Sequence, residues 1–222
     1  MPTGTSYDDA NVAGRYALGA AANAEVDPSR RFIRDALTVV PRASNVLDVG
    51  CGTGLDLERY KAMGLSNLHG IDPTEEFLEK ARALLGDQAD VREGCFEVIP
   101  YEDGAFDVVV SRHALHYCKD VRASLREAAR VLTPGGLLMV VVSHPLVDAL
   151  ETADGDGNIT ITLFGGTTPI TFPKHTLPEY FCATFLFNFE LVLVKEYLGT
   201  EQDRHTNGLP NALCFIARKK GG

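Results

Sequence analysis

Val46 to Asp56 reads VLDVGCGTGLD, with glycine at 50, 52 and 54. A chain that turns through three alternate glycines lets a ligand approach its backbone. The helix that follows offers free amides and a partial positive charge. Asp72 lies 22 residues after Gly50, at the end of the next strand-like run. A carboxylate there can accept both hydroxyls of a ribose, as in dinucleotide sites. The ligand these residues describe is an adenosine-type nucleoside with a polar tail. Two simpler readings stay open. Asp72 can cap the next helix, with Pro73 first and Glu75 in the third place, and Asp48 can serve only to satisfy loop amides. Cys51 reads as a small filler, since reactivity needs an electropositive setting.

Histidines supply the candidate acid–base groups. His113 and His116 flank Ala114-Leu115 directly after one strand-like run, and His144 ends another. An imidazole with an ordinary pKa near 6.5 suits proton transfer to or from a moderately acidic group. His113 and His144 are the catalytic candidates. His116 reads as a packed histidine and His69 as structural. Spaced by three, His113 and His116 can share a helical face as metal ligands, but no third ligand has recognisable spacing, so no metal is expected.

These residues need elements to hold them. Asp27 and Pro28 open a helix whose apolar face is Phe32, Ile33, Ala36, Leu37 and Val40. Strands are expected at 45–50, 67–72, 89–94, 106–111 and 137–144. Helices are expected at about 54–63, 74–85 (closed by Gly86) and 121–132, the last stopping at Pro134-Gly135-Gly136. Runs such as Val108 to Val110 and Leu137 to Val142 are apolar on both faces, as in strands buried within a parallel sheet. Strand–helix alternation then gives an α/β sheet covered on both faces.

After His144 the pattern changes. Residues 151–158 are turn-rich and 159–164 alternate like a half-exposed strand. Thr176 and Glu179 offer a capping box for a helix to about Phe187, with Asn188 able to take a left-handed stop. Two strands follow. Residues 145–175 are expected to form an insertion of the kind where substrate specificity sits, with Phe164, Phe172 and Phe181 able to give a pocket apolar walls.

The dinucleotide fingerprint G-x-G-x-x-G wants a sixth-position glycine, and Leu55 stands there. With G-x-G-x-G, the chain instead resembles the class I S-adenosylmethionine-dependent methyltransferases, most closely their small-molecule type 11 branch. Ile71-Asp72-Pro73, FDVVVSRHALHY (Phe106 to Tyr117) and REAARVLTPGG (Arg126 to Gly136) are similar to successive landmarks of that superfamily. The resemblance implies a doubly wound, mostly parallel, seven-stranded Rossmann-like sheet with the last strand antiparallel. It also implies S-adenosyl-L-methionine as cofactor and a small-molecule methyl acceptor. Gly50, Cys51 and Gly52 would line the methionine part of the cofactor, and Asp48 would orient the turn or the amino group. Asp72 would hold the ribose diol and Pro73 would pack near the adenine. The family's adenine-side acidic position falls here at Cys95-Phe96, where Phe96 can stack and a backbone amide can read the ring. Ser111 and Arg112 would face the sulfonium region. The N-terminal stretch would fold over the cofactor as a lid, with Tyr16 in it and Arg15 paired to the carboxylate.

The implied organisation is one methyltransferase domain over 1–222: a lid at 1–27, a cofactor-binding core at 28–144, the insertion at 145–175, and a closing helix with the last two strands at 176–222. Another transferase using the same nucleoside and a non-catalytic cofactor-binding subunit are the alternatives. Bulk properties set limits. The formal net charge is −9, which weighs against a nucleic-acid partner. Five cysteines, none at a C-x-x-C spacing, fit a reducing cytoplasm. The polar, acidic start is no signal peptide, and no apolar run approaches the ~20 residues of a membrane span. A monomer or homodimer is expected.

Overall fold

The computed structural model describes residues 27–163, 168–198 and 209–221. Seven strands form one sheet: β1 (Asn45–Val49), β2 (Asn67–Asp72), β3 (Asp90–Glu93), β4 (Phe106–Arg112), β5 (Leu132–Ser143), β8 (Phe189–Leu198) and β9 (Pro210–Lys219), in the order β3-β2-β1-β4-β5-β9-β8. β9 runs antiparallel to both of its neighbours, while the pairings among β1 to β5 are parallel. β6 (Asn158–Leu163) and β7 (Thr168–Pro173) make a separate hairpin.

Why these strands sit in the middle follows from their two apolar faces. On one side, Val46, Val108, Val110, Met139 and Val141 meet Phe32, Ile33 and Leu37 of α1 (Pro28–Leu37), Leu57 and Tyr60 of α2 (Leu55–Ala62), and Leu78 and Leu85 of α3 (Glu75–Leu85). On the other, Leu47, Val109, Leu138 and Val140 meet Leu125, Ala128 and Val131 of α4 (Val121–Val131). Such burial, at roughly 25 cal/mol per Å² of apolar surface, is the main force holding both layers to the sheet. The expected cap of α1 forms: Asp27 Oδ1 accepts the Ser29 amide at 2.8 Å. Among the described residues no helix is long and apolar enough to cross a membrane.

Three expectations change in detail. β5 starts at Leu132, five residues earlier than the run at 137, because Leu132 already pairs with Phe106. The next pair is Val108 with Leu137, so the extra residues bulge out through Gly135, whose φ is 81°. The helix expected at 176–187 is broken into α6 (Leu177–Tyr180) and α7 (Ala183–Asn188). Its capping box is present, with Glu179 Oε2 accepting the Thr176 amide at 2.6 Å. Asn188 does not take a left-handed conformation. Its Nδ2 donates to the Thr184 carbonyl at 2.8 Å, which satisfies the helix end from within, and the chain passes directly into β8. The insertion carries α5 (Pro145–Asp148) and the β6–β7 hairpin, whose Ile159, Ile170 and Phe172 pack on Tyr117 just beyond β4.

Candidate functional site

The strand order reverses between β1 and β4, and their carboxyl ends open the crevice where ligands bind such sheets. The glycine turn lies at this point. The Gly50 and Cys51 amides both donate to the Ile71 carbonyl, at 2.8 and 3.0 Å, tying the turn to β2. All three glycines have positive φ (79°, 54° and 81°), but they answer different demands. A Cβ on Gly50 would overlap that of Ala114, and one on Gly54 would come within 2.9 Å of Leu85. Those two allow close packing. A Cβ on Gly52 would meet nothing within 4 Å among the described residues, so they leave the backbone there open.

Asp72 is buried and bonded on both oxygens. Oδ2 accepts the Gly52 amide and Oδ1 the Thr74 amide, each at 2.9 Å. The cap position of α3 is Thr74, and Asp72 supports that turn from two residues before. Each carboxylate oxygen keeps a second lone pair. Burial raises the Asp72 pKa to about 6, against the pull of the Thr74 and Gly52 amides. Pro73 is exposed beside it, and Cys51 is buried with its sulfur against Gly70.

Asp48 is buried on the α1–α2 side of the sheet. Burial first, then the nearby Asp56 carboxylate, raise its pKa to about 8, opposed by Arg112. Arg112 does not simply face the cleft. Its Nε donates to Asp56 Oδ2 at 2.8 Å and its Nη1 to Asp27 Oδ2 at 3.1 Å, while Arg30 Nε donates to Asp56 Oδ1 at 2.7 Å. Burial works to raise the pKa of Asp56, but Arg112 and Arg30 outweigh it and hold it at about 2. This network joins α1, α2 and β4 beside the glycine turn. The sequence reading missed it, because nothing in the spacing pairs residues 26 and 56 positions apart.

Ser111 points to the opposite face of the sheet, fully buried, its hydroxyl without a hydrogen-bond partner among the described residues. His113 follows at the strand tip. It is the one non-glycine with positive φ, 55°, among the described residues. Left-handed backbone at such a residue stores strain, and strain of this kind gathers at functional sites. Burial and Arg112 lower the His113 pKa to about 4, leaving the ring neutral at ordinary pH. His116 is packed against Tyr117 and Phe172, and its Nδ1 accepts the Ser143 amide.

His144 has a different setting from the one expected of a base. Its Nδ1 accepts the Leu146 amide at 3.1 Å, capping α5, and its Nε2 meets Glu196 Oε1 at 2.9 Å. With Nδ1 accepting, Nε2 carries the proton and donates it to Glu196. Both nitrogens are therefore engaged in holding α5 and β8 to the end of β5. Phe96 likewise lies in the core, 3% exposed, so its ring has no open face for stacking; Cys95 is half-buried in a bridge to Val98. Phe181 packs on Phe185 and Phe215 in the core, and Phe172 on His116. Arg15, Tyr16 and Phe164 lie outside the described residues.

A polar group near the ends of β4 and β5 was not anticipated. Asp148 is 1% exposed, with Oδ1 taking the Ser143 hydroxyl and Oδ2 unpartnered among the described residues. Burial raises its pKa to about 6. The Tyr180 hydroxyl, near enough to feel the Asp148 charge, is also buried and unpartnered among the described residues. Buried polar groups are almost always paired. Residues of this kind are hard to find in sequence, since Asp148 reads as a helix surface acid and Tyr180 as core.

A family profile described as "Methyltransferase domain" matches residues 47–140. The malonyl-[acyl-carrier protein] O-methyltransferase of Erwinia pyrifoliae is 37% identical over 155 residues, 59% of this chain and 57% of that protein. The ubiquinone biosynthesis O-methyltransferase of Neisseria meningitidis is 35% identical over 102 residues, 44% of this chain and 43% of that protein. The crystal structure of an S-adenosylmethionine-dependent methyltransferase from Mesorhizobium loti superposes with a TM-score of 0.65 at 21% identity, covering 86% of this chain and 96% of that one. Matches to such curated relatives span 33% to 57% of the relatives' own lengths. The family match runs from β1 into β5, and the region beyond β5 lies outside it.

Proposed function

We propose that this chain, which belongs to the class I S-adenosylmethionine-dependent methyltransferases, binds S-adenosyl-L-methionine at the glycine turn and moves its methyl group to an O, N or C atom of a small molecule. The observation that carries the reading is the opening at Gly52, with Asp72 locked over it and Asp48 buried beneath. Two buried carboxylates with raised pKa favour a cationic ligand, which lowers the cost of ionising them. The same acids repel the pyrophosphate of a dinucleotide, which agrees with Leu55 in place of the sixth-position glycine.

In this reading Gly50, Cys51 and Gly52 line the methionine part and Asp48 faces its ammonium. Asp72 uses its remaining lone pairs for the ribose diol. Pro73 and the Cys95 region border the adenine, and Phe96 supports that border from the core. Arg112 braces Asp56 and the start of α1, and so sets the shape of the turn. When bound, the cofactor supplies a methyl group on a sulfonium, already a good leaving group. The protein's main contribution is then to hold the nucleophile in line, which can supply ~7–11 kcal/mol in favourable cases.

His113 stands on the acceptor side. Neutral at ordinary pH, its ring can accept a hydrogen bond from the attacking group and take its proton if one must leave. Ser111, Asp148 and Tyr180 bring polar atoms that have no partner among the described residues to the same side of the sheet, suited to a polar small molecule. The relative named for ubiquinone biosynthesis supports that class. We read 28–144 as the cofactor core, 145–175 as the acceptor-shaping insertion, 176–222 as the closing part and 1–27 as the lid bearing Arg15 and Tyr16. The net charge of −9 and five free cysteines support a cytoplasmic enzyme without a nucleic-acid partner.

The test is transfer of isotope-labelled methyl groups from the cofactor to a small-molecule extract by the purified chain. Labelled product supports the reading. Cofactor binding with no transfer to any fraction would favour a non-catalytic subunit.

A further inference from the structure

Among the described residues β8 is an edge strand of the sheet, and it is apolar where an edge should be polar. Leu191, Val192, Leu193 and Val194 are 44%, 48%, 38% and 41% exposed. Long apolar edges are templates for another strand, and proteins normally blunt them with charges or cover them. Leu186 and Phe187, also exposed, precede β8, and exposed Leu198 ends it.

Pairing with β9 fixes where each residue points. Glu190 lies opposite Arg218, Leu191 opposite Ala217, Leu193 opposite Ile216, Val194 opposite Phe215 and Lys195 opposite Cys214. Val192 is skipped, an extra residue in a bulge. Counted in these positions, β8 is self-complementary about Leu193. In an antiparallel pair of two β8 strands related by a twofold axis at Leu193, Leu191 falls opposite Val194 of the second copy and Glu190 opposite Lys195. Partners share a face in each case, as antiparallel pairing requires. The bulge makes this possible, since without it residues 190 and 195 would point to opposite faces. Across the joined sheet, Arg218, Glu190 and the second copy's Lys195 then alternate in sign on one face. Antiparallel order also brings Leu186 and Phe187 of each copy towards Leu198 of the other.

We propose that β8 is the interface of a symmetric homodimer, in which two seven-stranded sheets join edge to edge about Leu193. The partner is a second copy of this chain because the apolar centre and the flanking charges complement themselves in one register. Such an interface is isologous and closes at two subunits. The bulge disturbs the ladder at the axis and leaves the stretches on either side extended.

Light scattering across a concentration series, with circular dichroism to check folding, tests the proposal. The unaltered chain should be a dimer. Leu193→Lys, which puts two ammonium groups on the axis, should leave folded monomers. Lys195→Glu should dissociate the dimer, and adding Glu190→Lys should restore it. Leu193→Cys should give a disulfide-linked dimer on mild oxidation, because directly opposed strand residues lie within disulfide reach. A chain that stays monomeric as concentration rises overturns the proposal. So does a dimer that survives Leu193→Lys. A dimer lost in Lys195→Glu and not regained in the double variant overturns the register.

Discussion

The two halves of the proposed site are built by different means. The cofactor half is one turn and the end of the neighbouring strand, held by backbone amides: Gly50 and Cys51 to Ile71, Gly52 and Thr74 to Asp72. In the proposed reading the acceptor half, beyond β4 and β5, depends instead on side chains far apart in sequence, such as Tyr117 with Phe172 and His175 with the Cys118 carbonyl. A backbone-built site is short, local and readable. A site built from side chains across insertions is free to change its specificity without disturbing the fold.

Gly50→Ala should have the largest effect, because it attacks the first half at its tightest point. The new methyl group overlaps Ala114, and φ at 79° is costly for any residue with a Cβ. Overpacking costs ~1–3 kcal/mol and the left-handed backbone a further ~1–2 kcal/mol. A lower melting temperature and lost cofactor binding are expected together, and Ala114→Gly should recover part of the stability. Gly52→Ala sharpens the comparison. Its Cβ meets nothing among the described residues, so it should cost only the left-handed backbone strain of ~1–2 kcal/mol and still lose binding.

Asp72→Ala comes next. Loss of charge-assisted hydrogen bonds worth roughly 1.5–3 kcal/mol should lower affinity for S-adenosylhomocysteine about tenfold or more. In the unaltered chain the same affinity should fall as pH drops through about 6, since protonation removes the acceptor charge. A variant that binds normally but melts early would leave Asp72 only its role in bracing the turn and α3.

The acceptor half separates its two histidines. His113→Ala should lower turnover at least tenfold with cofactor affinity nearly unchanged, and the dependence on a neutral ring should appear only as pH approaches about 4. His144→Ala should lower stability by about 1 kcal/mol through the lost cap, with turnover much less affected. Equal kinetic losses in both variants would break this distinction.

Asp48→Asn on the ligand-free chain tests the carboxyl beneath the turn, and its effect is read as a dependence on pH. The Asp48 carboxyl has a raised pKa in the fold, so its stabilising protonated form is complete below the ordinary value of 3.8 and lost as pH rises through about 8. The melting-temperature advantage of Asp48→Asn should therefore grow from about pH 4 and level off above about 8. A constant difference across that range would show that burial does not perturb this carboxyl.

Sequence pattern revealed the strands, the glycine turn and Asp72 because each depends on residues close in the chain. The period of apolar residues shows which faces are covered, and glycine at a positive-φ turn shows itself directly. The second strand of the hairpin, Thr168–Pro173, was missed because Pro169 and Pro173 argue against a strand. Here they lie in a two-stranded ribbon with nothing beyond it to satisfy. Phe96 and His144 were misread for a related cause. The sequence places them after β3 and β5, but the direction of each side chain is set by tertiary partners: Phe96 joins the core cluster on one face of the sheet, and His144 meets Glu196, 52 residues away. The ion-pair network of Asp27, Arg30, Asp56 and Arg112 escaped for the same reason.

Titration calorimetry with two ligands tests the central claim most directly. The glycine turn with Asp48 and Asp72 should bind S-adenosylhomocysteine at a single site and give no measurable heat with NAD. Binding of NAD without S-adenosylhomocysteine would contradict the account.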